Sequence, residues 1–366
     1  MKRFVILLLA LCLLLCACGK TAEAPTEAPT EVPTEAPTEA PTEAPTEAPT
    51  EAPTEPPILY RHPLTGEPLD EPFTTRPVIS TINNQQKSLP QSSISQADIF
   101  YEIETEAAVT RGLAFFTDLS EVGPIGSTRS ARTYFNSIAY SYDGVLIHVG
   151  SSKYARNGQH DIMGNRLPVY DHIDWQLHPS YTYRDQDRLN AGYAWEHTMF
   201  TTGEDVQQAL IDLEFDMVIE EGIDYGLTFH EEPEMVGDPA TNVVVTFPGT
   251  KTTTFVWNEE LGVYETYQFG DPWIDEGNDN AILSFRNLIV MVTERWRPEG
   301  SNSFYELLGS GEGYFACDGK AVKIQWHRET VEDPYSFTLE DGTPITLGVG
   351  KSYYGILSTK GAVEYS

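Results

Sequence analysis

Residues 122–150 read VGPIGSTRSARTYFNSIAYSYDGVLIHVG, and their order decides the class of fold. Val122 to Ser127 is a glycine-rich loop. Ala131, Tyr134, Phe135, Ile138, Ala139 and Tyr142 then fall at offsets 0, 3, 4, 7, 8 and 11, one apolar stripe of a helix. Asp143-Gly144 stops it. Val145 to Val149 reads as a buried strand running into Gly150-Ser151-Ser152. Loop, helix and buried strand in that order make an α/β element, with sites expected at strand ends and helix starts.

Working outward, Asp98 to Glu104 and Leu113 to Thr117 alternate, which predicts a strand pair with Thr110-Arg111-Gly112 between them. Pro77 to Asn83 reads as another strand and Leu89 to Ala97 as a polar turn. Residues 154–202 are loop-rich, with Trp175, Tyr181, Tyr183 and Trp195 as a possible sugar-stacking rim, although core packing is the commoner use of such rings. A helix is expected over Glu204 to Leu213. Beyond about 225 the pattern turns to strands, at 243–247, 253–257, 264–267, 288–292, 321–326 and 353–357. The expected class is α+β: an N-terminal α/β-type domain at 58–229, a mixed sheet with packed helices, followed by a smaller β-rich domain at 230–366.

The first 57 residues read as an address and a spacer. Lys2-Arg3 precedes an apolar run from Phe4 to Leu15, too short to span a bilayer, so residues 1–17 are expected to be a signal peptide. Leu15-Cys16-Ala17-Cys18 resembles the bacterial lipobox, which implies lipidation of Cys18. That leaves Cys317 without a disulfide partner, expected as a buried, inert thiol. Residues 18–57 carry a Pro-Thr-Glu-Ala repeat of period four. It has no apolar residue larger than Val32, so a disordered, extended stalk is expected.

The formal net charge is −32, from 23 basic and 55 acidic residues. Such a chain is unsuited to nucleic acid or to anionic lipid surfaces, which both require cationic patches. Against that background, no acid occurs between Val122 and Tyr142, while Arg129 and Arg132 do. Placed at the start of the helix stripe, with Ser127 or Thr128 as cap and Ser130 as a further donor, these arginines suit a phosphate or carboxylate. Arg111, His148, Arg184, Asp185 and His197 are the residues expected around them, and Glu102 and Glu104 are carboxylates that could reach the same cleft. The bland alternative is that the arginines pair with acids elsewhere in an acidic protein. Zinc-ligand spacings, nucleophile elbows and phosphate loops are missing, so neither a metal nor a cofactor is expected.

A series of motifs carries a resemblance: Pro63-Leu64-Thr65-Gly66, Ile82-Asn83-Asn84, Gln96-Ala97-Asp98-Ile99, Gly123-Pro124-Ile125-Gly126-Ser127-Thr128-Arg129-Ser130-Ala131-Arg132, and His148-Val149-Gly150-Ser151. Together they resemble the DUF3048 family, the YerB-type lipoproteins of Gram-positive bacteria. Asn242 to Val245, Gly319-Lys320 and Gly350-Lys351 resemble its C-terminal domain, whereas Tyr267-Gln268-Phe269-Gly270 lacks an arginine that the family pattern leads one to expect. The resemblance implies an extracytoplasmic protein anchored to the outer face of the cytoplasmic membrane. The reading that follows is a noncatalytic binding protein for an anionic cell-wall component. The alternatives are a phosphoryl- or glycosyl-transfer enzyme on lipid-linked wall precursors, with Asp185 or Glu102 as base or metal ligand, and a scaffold for an envelope protein.

Overall fold

The computed structural model describes residues 60–152, 155, 171–219, 223–249, 251–297 and 302–366. The expected signal peptide, Cys18 and the repeat segment lie outside the described residues.

An eleven-stranded mixed sheet organises residues 60–366. Its first strands are β1 (Val78–Asn84), β2 (Ile99–Glu104) and β3 (Thr110–Phe116). A short strand, β4 (Pro124–Gly126), leads to helix α1 (Thr133–Ser141) and then to β5 (Val145–His148) and β6 (His172–Asp174). After these come β7 (Tyr183–Arg184), α2 (Gln186–Asn190), β8 (Met199–Thr202) and α3 (Gly203–Asp212). The remaining strands of the large sheet are β9 (Asp238–Pro239), β13 (Asn287–Thr293), β14 (Gly309–Cys317), β15 (Lys320–Arg328), β16 (Ser336–Thr338) and β17 (Ser352–Ser358). Between β9 and β13 the chain forms β10 (Asn242–Thr246), β11 (Thr252–Asn258) and β12 (Val263–Gln268) of a second, six-stranded sheet, which β18 (Ala362–Tyr365) joins at one edge.

The large sheet runs β9-β15-β14-β13-β17-β2-β3-β1-β5-β6, with β16 on β15. β17 lies parallel to both β13 and β2, so a strand from the end of the chain sits between strands of the two halves. Residues 58–229 and 230–366, expected as separate domains, thus share one sheet and one compact unit.

The period of two along each strand sorts its side chains to two faces. Tyr101, Leu113, Phe115 and Tyr354 join α1 through Tyr134, Phe135, Ile138 and Tyr142 on one side. Phe100, Ala114 and Tyr353 meet Val243, Phe255 and Tyr264 of the second sheet, and Val206 and Leu210 of α3, on the other. With both faces covered, β1, β2, β3 and β17 are buried along their whole length. Cys317 is fully buried, and burial pushes its thiol up to about 12.

Candidate functional site

The acid-free segment lies across the end of the large sheet where β1 finishes and β3 begins. Asn83 and Arg111 face one another there in register. Gly126, at φ +156, opens the approach: a Cβ on it would lie 2.7 Å from the Phe200 ring. The chain then continues extended. Ser127 O accepts from Asn83 N at 2.8 Å, Arg129 N donates to Thr81 O at 3.2 Å, and Ala131 N donates to Gly150 O at 3.0 Å.

This corrects the expected helix start. Helix α1 begins at Thr133, with Arg132 in extended conformation as its N-cap residue and no side-chain cap bond, so neither Ser127 nor Thr128 caps it. The apolar stripe from Ala131 reads as helix, but its first residues are taken by hydrogen bonds to neighbouring strands. The amides at 129 and 131 are therefore spent on carbonyls, and an anion at this place is met by side chains.

Arg111 is only 6% exposed. One Nη donates to Ser130 O at 2.7 Å, and its Nε has no hydrogen-bond acceptor. Burial first, then the charges of Arg132 and Arg129, hold its guanidinium well below the usual arginine value. Arg132 is paired: its Nε and one Nη reach Glu106 at 3.0 and 2.7 Å. Glu106 also accepts from Asn302 Nδ2 at 2.9 Å and Ser303 N at 3.2 Å. Burial works against ionisation of Glu106, but Arg132 chiefly, with Asn302 and Arg111, outweighs it and draws the carboxyl down to about 2. Arg129 is half-buried and donates to Glu196 O at 3.2 Å. Neither Arg111 nor Arg129 makes an ion pair among the described residues. Arg295 completes the group, 2.5 Å from Glu104 Oε2 and 3.1 Å from Ser303 Oγ. Arg111, Arg129, Arg132 and Arg295 therefore gather about Glu104 and Glu106, with the charge of Glu196 acting on Arg129 and that of Arg297 on Glu104.

His197 is buried beside these arginines, with Nδ1 2.8 Å from Asn83 Nδ2. Burial first, then Arg129, lowers its pKa. His148 belongs to another cluster. Its Nε2 lies 2.9 Å from His172 Nδ1, its Nδ1 2.8 Å from Gly150 O, and Asp174 Oδ1 stands 4.0 Å away. Burial pushes His148 down to about 4 against the pull of Asp174, so it adds no charge at neutral pH. Asp185 caps α2 by accepting from Arg188 N at 3.0 Å, and Arg184 lies over the Trp195 ring at 4.2 Å.

Glu102 does not lie with these arginines. It is fully buried beneath the second sheet, 2.6 Å from Lys251 Nζ, and cannot serve as a base or metal ligand for a bound molecule. The expected aromatic rim is reduced to two rings. Trp175 is in the core and Tyr181 hydrogen-bonds Asp212 at 2.8 Å, while Tyr183, stacked on Phe200, and Trp195 stay exposed.

Glu106, Arg295, Asn302 and Ser303 were not among the expected site residues. The one signal for them in the sequence is Arg295-Trp296-Arg297, a basic pair in an acidic half.

Two family models match this chain: "Protein of unknown function (DUF3048) N-terminal domain" over residues 64–216 and the corresponding C-terminal domain over 243–354. A protein of Bacillus subtilis (strain 168) named "Putative lipoprotein YerB" is 36% identical over 135 residues. That match spans 34% of this chain and 40% of the relative's length. The crystal structure of YerB protein from Bacillus subtilis superposes with a TM-score of 0.70 at 20% identity, covering 83% of this chain and 99% of that one. At that identity the likeness concerns the fold alone.

Proposed function

Because the chain belongs to the DUF3048 family, we propose that it is an envelope lipoprotein that holds an anionic ligand between Arg111 and Arg129. The name of its Bacillus relative and the Leu15-Cys16-Ala17-Cys18 motif support the location. Lipid on Cys18 is the anchor, and the outer face of the cytoplasmic membrane is where the protein works. Replacement of Cys18 by Ser is expected to move the protein from the membrane fraction to the soluble exported fraction, read by fractionation and immunoblot. Unchanged membrane retention would remove Cys18 as the anchor.

One observation carries the ligand reading. Arg111 is buried and Arg129 half-buried, neither makes an ion pair among the described residues although the charge of Glu106 acts on both and that of Glu196 on Arg129, and Arg111 has an unused Nε. Buried charge without a partner is costly, and an anion with several acceptor oxygens relieves that cost. Glu106 holds Arg132 aside, so the ligand meets Arg111 and Arg129 first.

Arg129→Ala tests this, since Arg129 is partly exposed and its one side-chain hydrogen bond, to Glu196 O, is at the surface. Titration calorimetry of the full chain with pyrophosphate is expected to show binding, weakened about tenfold in the variant, as suits loss of one charged hydrogen bond. Failure of the wild-type chain to bind, or equal binding by the variant, would overturn the reading.

A further inference from the structure

Trp195 is 62% exposed, whereas Trp175, Trp273 and Trp326 are buried to within 2%. Single exposed apolar side chains such as Leu177 and Ile211 are ordinary, so it is the surroundings of this ring, with Tyr183 also 41% exposed next to Arg184, that make it a candidate contact surface. This ring is also held still. The Arg184 guanidinium lies 4.2 Å from its centroid, and one Nη of Arg184 donates to Trp195 O at 2.6 Å. Arg184 takes one face of the indole, so the open area is the other face and the ring edge. A fixed ring binds without paying to order itself.

Its position links it to the arginines. Trp195 begins the turn Trp195–His197, and that turn is tied to the anion site at its next two residues. Glu196 O accepts from Arg129, and His197 is bonded to Asn83, which faces Arg111 in register. Trp195 is thus the chain neighbour of the residue whose carbonyl Arg129 bonds. A sugar ring stacked on the indole, with its phosphate on the guanidinium, would bridge two such neighbouring side chains.

We infer that the ligand of this site is a phosphorylated sugar, with its phosphate between Arg129 and Arg111 and the C–H face of its ring on Trp195. This rests on the anion-binding reading above and adds the chemical class. Burial of a pyranose C–H face against indole removes apolar surface from water, while the hydroxyls around the ring stay solvated on an open platform. A nucleobase has no hydroxyls to keep wet and gains most from a closed slot, which one exposed ring does not supply.

The test uses calorimetric titration of the full chain with N-acetylglucosamine 1-phosphate, inorganic phosphate and uridine 5′-monophosphate. The sugar phosphate is expected to bind at least tenfold more tightly than inorganic phosphate. Trp195→Ala should abolish that advantage and leave inorganic phosphate unchanged, and Trp195→Tyr should restore most of it. Equal affinities of the wild-type chain for the sugar phosphate and phosphate would overturn the sugar inference and leave the anion site standing. Tighter binding of the nucleotide than of the sugar phosphate would also overturn it, as would a Trp195→Ala loss that is the same for phosphate and sugar phosphate. Binding of none of the three would bring down the anion reading and this inference together.

Discussion

Lys251→Met is expected to destabilise the folded part by about 3–5 kcal/mol, the cost of leaving a buried carboxylate without its cation. Glu102 is 0% and Lys251 5% exposed, so neither charge has water to fall back on. Lys251 Nζ stands 2.6 Å from Glu102 Oε1. The carboxylate also accepts from Thr110 Oγ1 at 2.6 Å, Thr253 Oγ1 at 2.7 Å, Asn84 Nδ2 at 2.8 Å and the Tyr353 hydroxyl at 2.9 Å. Burial opposes charge on Glu102, but Lys251 and these donors prevail and hold its carboxyl below the usual range. Burial likewise pulls Lys251 below its usual value, with Glu102 opposing. Lys251 is further enclosed by the Phe269 and Trp273 rings, 5.3 and 5.4 Å from Nζ. Urea unfolding measures the loss as a shift in midpoint at unchanged slope. The double variant Glu102→Gln with Lys251→Met should recover part of it, because the unpaired charge is gone. A single-variant loss below about 1 kcal/mol would mean that the pair contributes little to the joining of the two sheets.

Arg328→Met should cost about 2–4 kcal/mol, through orphaned carbonyls. Arg328 is fully buried and is held by main-chain oxygens: Nε donates to Asp333 O at 2.9 Å, and one Nη donates to Val331 O at 2.6 Å and to Ser137 O at 2.8 Å. The other Nη reaches Ser137 Oγ at 3.0 Å, and the Tyr335 ring lies 5.0 Å from the guanidinium carbon. Ser137 belongs to α1 and Arg328 ends β15, so the side chain pins the N-terminal helix to the C-terminal half. Met fills the volume and accepts none of the geometry. Lysine keeps the charge but lacks the planar fork that serves three carbonyls, so Arg328→Lys should be nearly as damaging. Thermal unfolding that leaves Arg328→Lys at the wild-type midpoint would show that charge alone matters here.

Much of the fold is legible locally. The alternation of Asp98 to Glu104 and of Leu113 to Thr117 appears as β2 and β3, but Thr110-Arg111-Gly112, expected to connect them, opens β3 and pairs with Glu104 to Glu102, the turn lying at 105–109. The helix expected over Glu204 to Leu213 appears as α3. The six strands expected after residue 225 are all present within a residue or two. Patterns with a period of 2 or 3.6 report how a segment buries one face, and that needs no knowledge of the partner. α1 is the instructive exception. Its stripe is continuous from Ala131, but Ala131 and Arg132 are held extended by Gly150 and by the approach to the sheet.

The site was legible only in part, for a reason of charge. Arg111, Arg129, Ser130 and Arg132 lie together because β3 and the segment after Gly126 converge on one sheet end. Whether an arginine is spent or available depends on which carboxylate folds against it, and that carboxylate is far away in the chain. Glu106 takes Arg132, Glu104 takes Arg295, and Arg111 and Arg129 are left. Nothing in the local sequence distinguishes these outcomes.

Segment periodicity, the acid-free stretch, the lipobox-like motif and the repeat are properties of neighbouring residues, and the amino-acid order determines them outright. Folding alone assigned partners across distance. It set β17 between β13 and β2, so that two expected domains share a sheet. It closed Glu102 over Lys251 rather than opening it to a cleft. It left Trp195 in solvent while burying Trp175. The physical reason is the same in each case: strand pairing and ion pairing depend on where distant segments meet, and one-dimensional patterns carry no record of that meeting.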